Sequence, residues 1–355
     1  MLPYTRRQWC AALGLGALGS VLPARAATTA VQRLIALGGA MTEVVYALGA
    51  EDLLVATDTT SLYPEAAMRT PKVGYLRQLS AEGLLSLQPD AIVGSSEAGP
   101  PIVIEQVRAA GVRVELVPSS HDFAEVLRKI DTVGRVTQRE AAAAALTQQL
   151  QQQWQQVQGL VAQAERKPRA LFILSHSGSP MVAGRGTAAH ALLELAGAVN
   201  AVTQFQGYRP LTAEAMAAVA PEVIVNSTQG IEALGGVEAF WRRPELALTP
   251  AFARKALVGM EASHLLGFGP RLPSAVQELH AQMLQVTACC RQAAGAMQAD
   301  CVRLLPAGWD SGWPLWLLSG AVHMAPMPSA RRSCGRCWCR PCKGRGRRAR
   351  SIWCS

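Results

Sequence analysis

The chain contains the same passage twice. Residues 74–93 read GYLRQLSAEGLLSLQPDAIV, and residues 207–225 read GYRPLTAEAMAAVAPEVIV. Each begins Gly-Tyr, passes through Ser/Thr-Ala-Glu, reaches Pro-Asp or Pro-Glu, and ends in a short apolar run. The step of nine positions from Ser80 to Pro89 equals the step from Thr212 to Pro221. Only one residue of offset separates the two Gly-Tyr pairs. A passage repeated at this distance implies two similar lobes. Two facing lobes make a cleft, so the chain is predicted to clamp a ligand rather than to enclose one compact catalytic core.

The first 26 residues have the form of a cleavable export signal. Arg6 and Arg7 give a basic start, residues 10–22 are apolar, and Ala24-Arg25-Ala26 is a small-x-small cleavage motif. The apolar stretch is shorter than the roughly 20 residues that span a bilayer. Cleavage after Ala26 and release into the periplasm are expected. The string TRRQW loosely matches a twin-arginine signal, but two arginines are also ordinary signal-peptide charge, so the export route stays open. Cys10 precedes the apolar run, the wrong place for lipid attachment.

Composition changes abruptly at Cys289. Residues 289–355 hold eight of the nine cysteines and five of the eight tryptophans. Residues 291–355 carry eleven Lys or Arg against two Asp, and the first 26 residues add three Arg. The whole chain is +9, so the body between is about −3. The basic character belongs to the ends, and nucleic-acid binding by the body is not implied. Cys334, Cys337, Cys339 and Cys342 give C-x2-C-x-C-x2-C, a spacing at which paired thiolates can hold zinc. Trp, Cys, Arg and Gly crowd there without hydrophobic periodicity. That favours a disordered tail or a shifted reading frame over a metal site. Asp310 and Pro314 interrupt residues 304–320, so no membrane helix is expected there.

Residues 27–288 contain no cysteine, so an exported body must be stable through its core alone. About 260 residues can form one. The first lobe (27–137) alternates strand and helix: strands at 33–38, 53–57, 90–95 and 112–117, with helices at Ala40–Leu48, Ser80–Leu87, Pro100–Ala110 and 122–134. The second lobe (168–288) repeats the alternation: strands at 169–175, 222–227 and 256–260, with helices at Ala188–Ala196 and 271–286. Such alternation predicts parallel-type sheets covered by helices. Between the lobes, residues 138–167 are rich in good helix formers. Leu146, Leu150, Trp154, Val157 and Val161 recur every three or four positions, one stripe on one face. A helix of this length spans about 40 Å and joins two lobes rigidly. The predicted fold is α/β, with two similar lobes joined by one long helix and a ligand cleft between them.

Several strings carry a family resemblance. They are the first repeated passage, LSHSGSPMVAGRGTAAHALLELAGAVNAV (174–202), FQGYRPLTAEAM (205–216), GIEALGGVEAF (230–240) and LLGFGPRLP (265–273). Through roughly residues 31–285 the chain resembles the periplasmic binding proteins that serve ABC importers of haem, cobalamin and ferric siderophores. Within that cluster it is most similar to haem-binding members. The resemblance implies capture of ferric haem, the transported ligand, through an axial tyrosine in the Gly-Tyr string, here Tyr75. Phenolate is a hard anionic donor suited to ferric iron. A free phenol has a pKa near 10, and a nearby cation favours its ionised form. Arg77 is placed to act so, or to pair with a haem propionate. The family pattern also implies an arginine before Gly230 that hydrogen-bonds the tyrosine. This chain has Gln229, so that function is absent or moved to Arg77, Arg185 or Arg209.

Relatives further implicate His176, as a second ligand or against a second haem. Its ordinary reading is a loop histidine. Tyr208 is the repeat partner of Tyr75. Glu82 and Glu214 occupy matching places at the two helix starts, where a glutamate also suits the helix dipole. The resemblance implies that they dock onto an inner-membrane ABC permease dimer with its ATPase. The protein is expected to act as a monomer in the periplasm, without stable membrane insertion or nucleic acid. An enzyme on a related fold would show cofactor thiolates or a clustered acid–base set. The body has no cysteine, and its histidines (121, 176, 190, 264, 280) are scattered, so no enzyme is expected. Cobalamin or a ferric siderophore on the same fold is the nearer alternative. A siderophore clamp calls for several arginines in the cleft, with or without tryptophans; the body's tryptophans are Trp154 and Trp241.

Overall fold

The computed structural model describes residues 30–175 and 180–303. The export signal with its cleavage site, His176 and the four tail cysteines Cys334, Cys337, Cys339 and Cys342 lie outside the described residues. The chain divides into compact units at Val302/Arg303.

The first lobe begins with β1 (Leu34–Leu37) and α1 (Gly39–Ala47), followed by β2 (Leu54–Thr57), α2 (Ala81–Leu85) and β3 (Ala91–Ser95). It ends with α3 (Pro101–Ala109), β4 (Arg113–Val117) and α4 (Phe123–Thr137). Its sheet runs β2-β1-β3-β4, and every pairing is parallel. β1 is buried at all four positions, as an apolar strand covered on both faces must be.

Gln138 adopts the left-handed conformation (φ 55°) and separates α4 from α5 (Glu140–Ala162). α5 has 23 residues, about 34 Å long. Of the predicted stripe it buries Leu150, Trp154 and Val157, with Leu146 and Val161 partly buried and Ala143 added, and Trp154 stacks on Phe123 with ring centroids 4.8 Å apart. One apolar cluster runs through these residues from Val44 and Val126 in the first lobe to Phe172 and Leu279 in the second.

The second lobe contains β5 (Arg169–Leu174), β6 (Met181–Ala183), α6 (Ala188–Leu195), β7 (Val199–Asn200), β8 (Tyr208–Pro210) and α7 (Ala213–Val219). Then follow β9 (Val223–Ser227), α8 (Thr228–Ala233), α9 (Gly236–Trp241), α10 (Pro250–Arg254), β10 (Leu257–Met260), α11 (Ala262–Leu266) and α12 (Leu272–Arg303). The sheet order is β10-β9-β5-β6-β8, with β7 also on β5. β10, β9, β5 and β7 pair in parallel, but β6 and β8 add an antiparallel edge that parallel alternation did not foresee. α12 runs on past position 289, where the composition changes.

Two polar ties pin one lobe to the other. Lys129 and Glu125 form a fully buried ion pair at 2.6 Å, and the Lys129 ammonium donates to the Phe268 carbonyl at 2.9 Å. Glu125 also accepts from the backbone N–H groups of Ser120 and His121, each at 2.7 Å. Burial holds Lys129 below the usual lysine pKa, with Glu125 opposing. The second tie is a two-pronged bond from Arg271, just before α12, to Glu43 of α1, at 2.9 and 2.6 Å. Burial pushes Glu43 above the usual carboxylate range in spite of Arg271.

Candidate functional site

The two repeated passages fold alike. Each starts on a glycine with positive φ, Gly74 at 100° and Gly207 at 76°, a conformation that side chains with a Cβ rarely adopt. Each then caps a helix with a hydroxyl. Ser80 accepts from the Gly83 N–H at 3.3 Å, and Thr212 accepts from the Ala215 N–H at 3.2 Å. Glu82 and Glu214 sit at the second position of α2 and α7. Both are exposed, and neither has an ion-pair partner among the described residues. Each passage ends in a central strand, β3 or β9.

The tyrosines differ. Tyr75 is 41 % exposed on the loop before α2. Tyr208 begins β8, opposite Ala183 of β6, and packs against the shared core. Burial raises its pKa; the Thr187 side chain, within hydrogen-bond reach, and the Arg77 charge act against burial. Thr187 is itself fixed, donating to the Gly184 carbonyl at 2.9 Å and accepting from the His190 N–H at 3.1 Å.

Arg77 connects the two lobes electrically. Its guanidinium pairs with Glu97, which follows β3, and that bond raises its pKa. The charges of Tyr75 and Tyr208 act on it in the same direction. Among the arginines considered for the missing role at 229, Arg77 is the one whose charge reaches both phenols. Arg209 lies 4.6 Å over the Phe205 ring instead. Arg185 is exposed, and its backbone bridges to the 205–207 segment. Gln229 itself accepts from the Ala262 N–H at 3.0 Å and lies 3.4 Å from Glu261, so it caps α11.

A cavity of about 600 Å³ lies between the lobes, lined by Leu62, Tyr63 and Met68 from the first and by Gln229, Glu261, His264 and Arg271 from the second. Tyr75 and Tyr208 do not line it. Most of its polar groups already serve one another, while the buried His264 Nδ1 has no hydrogen-bond partner among the described residues. Arg271 holds Glu43, hydrogen-bonds Ser263 at 2.9 Å and stacks 3.8 Å from the Tyr63 ring. Glu261 caps α11 through the Ser263 and His264 N–H groups, each at 2.8 Å. Away from this cavity, Tyr75 is exposed and Arg77 is held by Glu97. The sequence pointed to Tyr75, Arg77 and Tyr208 but missed Glu97 and Thr187. These two join the cluster only through space, and no local pattern marks them.

The sheets of both lobes end toward loops that carry these residues: Glu97 follows β3, Gln229 follows β9 and Glu261 follows β10. Ligands of open α/β sheets bind outside the carboxyl ends of strands. Two such lobes, a long helix between them and a polar cleft define a two-lobed substrate-binding protein. Residues 34–263 match the periplasmic binding protein family, and the chain belongs to it. Members of this family bind and carry substrates rather than transform them.

Two solved structures of similar proteins are periplasmic heme-binding proteins. One, BhuT in complex with two hemes, is 45 % identical, covering 72 % of this chain and 98 % of its own, with a TM-score of 0.69. The other, RhuT from Roseiflexus sp. RS-1 in apo form, is 32 % identical with the same coverage and a TM-score of 0.68. Two curated relatives point elsewhere. An uncharacterized ABC transporter substrate-binding lipoprotein, YvrC of Bacillus subtilis, is 26 % identical over 70 % of this chain and 78 % of its own. The vitamin B12-binding protein of Yersinia pestis is 26 % identical over 75 % of this chain and 89 % of its own.

Proposed function

We propose that this protein captures ferric haem in the periplasm, between its two lobes and with Tyr75 as axial ligand, and delivers it to an ABC importer. The observation that carries this reading is Tyr75: an exposed phenol on a glycine-started loop, two positions before the Arg77 cation. The likeness to heme-binding proteins at 45 % identity supports the ligand. Tyr208, partly buried against the shared core, serves as a wall of the cleft. Arg209, exposed beside Phe205, and His176 are further contacts for the haem in this reading. Glu82 and Glu214 dock the loaded protein onto a permease dimer with its ATPase, one glutamate per half. The mature chain starts after Ala26 and works as a monomer.

The test is the absorption spectrum of the exported protein with ferric haem, wild type against Tyr75→Ala. A high-spin tyrosinate-type spectrum that disappears in the variant is expected. A spectrum unaffected by the change moves the ligand to His176 or Tyr208. The 26 % identity to a vitamin B12-binding protein supports cobalamin as the second reading. Failure to bind haem, with saturable cobalamin binding, would establish it instead.

A further inference from the structure

Arg77 already has a partner. The Arg77 Nη2 donates to Glu97 Oε2, a carboxylate set by the turn after β3, where the Glu97 N–H donates to Ser95 Oγ at 3.3 Å. Both side chains are partly exposed, 57 % and 34 %. Ion pairs exposed to this degree contribute little, because water screens them and ordering two long side chains costs entropy. Such a pair exchanges readily for a better one. A guanidinium fork discriminates by geometry and pairs two-pronged with a carboxylate.

Glu97 therefore does two things at once. It holds Arg77 in place, and it occupies the fork that a carboxylated ligand needs. We propose that Glu97 is a stand-in carboxylate, displaced from Arg77 when a carboxylate of the incoming ligand takes its place. The inference rests on the haem reading only for the identity of that ligand, whose propionates are the carboxylates in question. Glu97 is thus a positioning and selectivity residue, and it does not touch iron. Ligands without a carboxylate gain nothing by displacing it.

The experiment compares full-length exported wild type with Glu97→Gln and Arg77→Gln, titrating each with ferric haem and with its dimethyl ester, which lacks the carboxylates. Glu97→Gln keeps the shape and removes the competing charge. Its affinity for haem is expected to rise about fivefold, and its affinity for the ester to change by less than about twofold. Arg77→Gln is expected to erase the preference for haem over ester. Salt should weaken haem binding less steeply in wild type than in Glu97→Gln, because the wild-type ligand exchanges one carboxylate for another. Equal effects of Glu97→Gln on acid and ester, or no effect on either, overturn the proposal while leaving the haem reading intact. Wild-type protein that binds neither form defeats the haem reading, and this inference falls with it.

Discussion

The first copy of the repeated passage presents its tyrosine to solvent, and the second tucks its tyrosine into the wall. The two passages share their glycine start, their hydroxyl cap and their exposed glutamate. They part at the tyrosine. Tyr75 stands in a loop with no strand on either side, whereas Tyr208 opens β8 and is held by the antiparallel edge. The repeat places a phenol at both positions, and the antiparallel edge of β6 and β8 gives the two different surroundings. The glutamates, lying on helices outside that edge, stayed equivalent.

This contrast needs the two lobes fixed in relation to each other, and the buried Lys129 is a test of that. Lys129→Met leaves Glu125 buried without its counter-ion and frees the Phe268 carbonyl. Removing one partner of a buried pair costs about 3–5 kcal/mol. Chemical denaturation should show a loss of that size. A loss below about 1 kcal/mol, the value for exposed pairs, would mean that water reaches the tie and that the lobes are less firmly joined.

Next in size is the contrast between the phenols. Tyr75→Phe should weaken haem binding by about 100-fold, the scale on which metal-site changes act. Tyr208→Phe loses at most one hydrogen bond, about 0.5–1.5 kcal/mol, so haem affinity should fall by less than about tenfold. The pH dependence should point the same way. Because burial raises Tyr208 above its ordinary value of 10.0, its neutral form stabilises the fold. That contribution is complete below pH 10 and is lost as pH rises through the higher folded-state value. Tyrosinate absorbance should show one phenol ionising late in the wild type and missing in Tyr208→Phe. If the late phenol persists, the two copies are less different than their burial implies.

The glutamates should break the symmetry least. Reversing either one, Glu82→Lys or Glu214→Lys, should reduce haem transfer to permease vesicles by about tenfold, a rim-charge effect of about 1.4 kcal/mol. Haem affinity should stay unchanged in both. A large effect from one lobe alone would show that the docking surface, like the cleft, has become one-sided.

Most of the framework was legible from local pattern. The apolar runs of β1, β3, β5 and β9 are continuous because both faces are covered, and the stripe on α5 has the helical period. Repetition itself revealed the two lobes. β6 and β8 were not legible, because three residues are too few to show a two-residue period. The short helices α8 to α11 were missed for the same reason: five or six residues hold less than two turns. Of the site, Tyr75 and Arg77 were visible because they lie in the repeated string. Glu97 was not, since its partner is 20 positions away and only the fold brings them together.

What the copies still share can be measured by their caps. Ser80→Ala and Thr212→Ala each remove one side-chain acceptor from a helix start, a loss typically of about 1 kcal/mol. Both bonds are long, 3.3 and 3.2 Å, so the cost should lie at the low end, nearer 0.5 kcal/mol. Both helices are short and exposed at this end, and neither cap touches a tyrosine. The two variants should therefore lose nearly equal stability and bind haem as the wild type does. Thr212→Ala costing clearly more would show that α7, packed close beside the 244–246 turn, bears more of its lobe than α2 does. Equal costs would place the whole functional difference between the copies at the tyrosine and the strand that holds it.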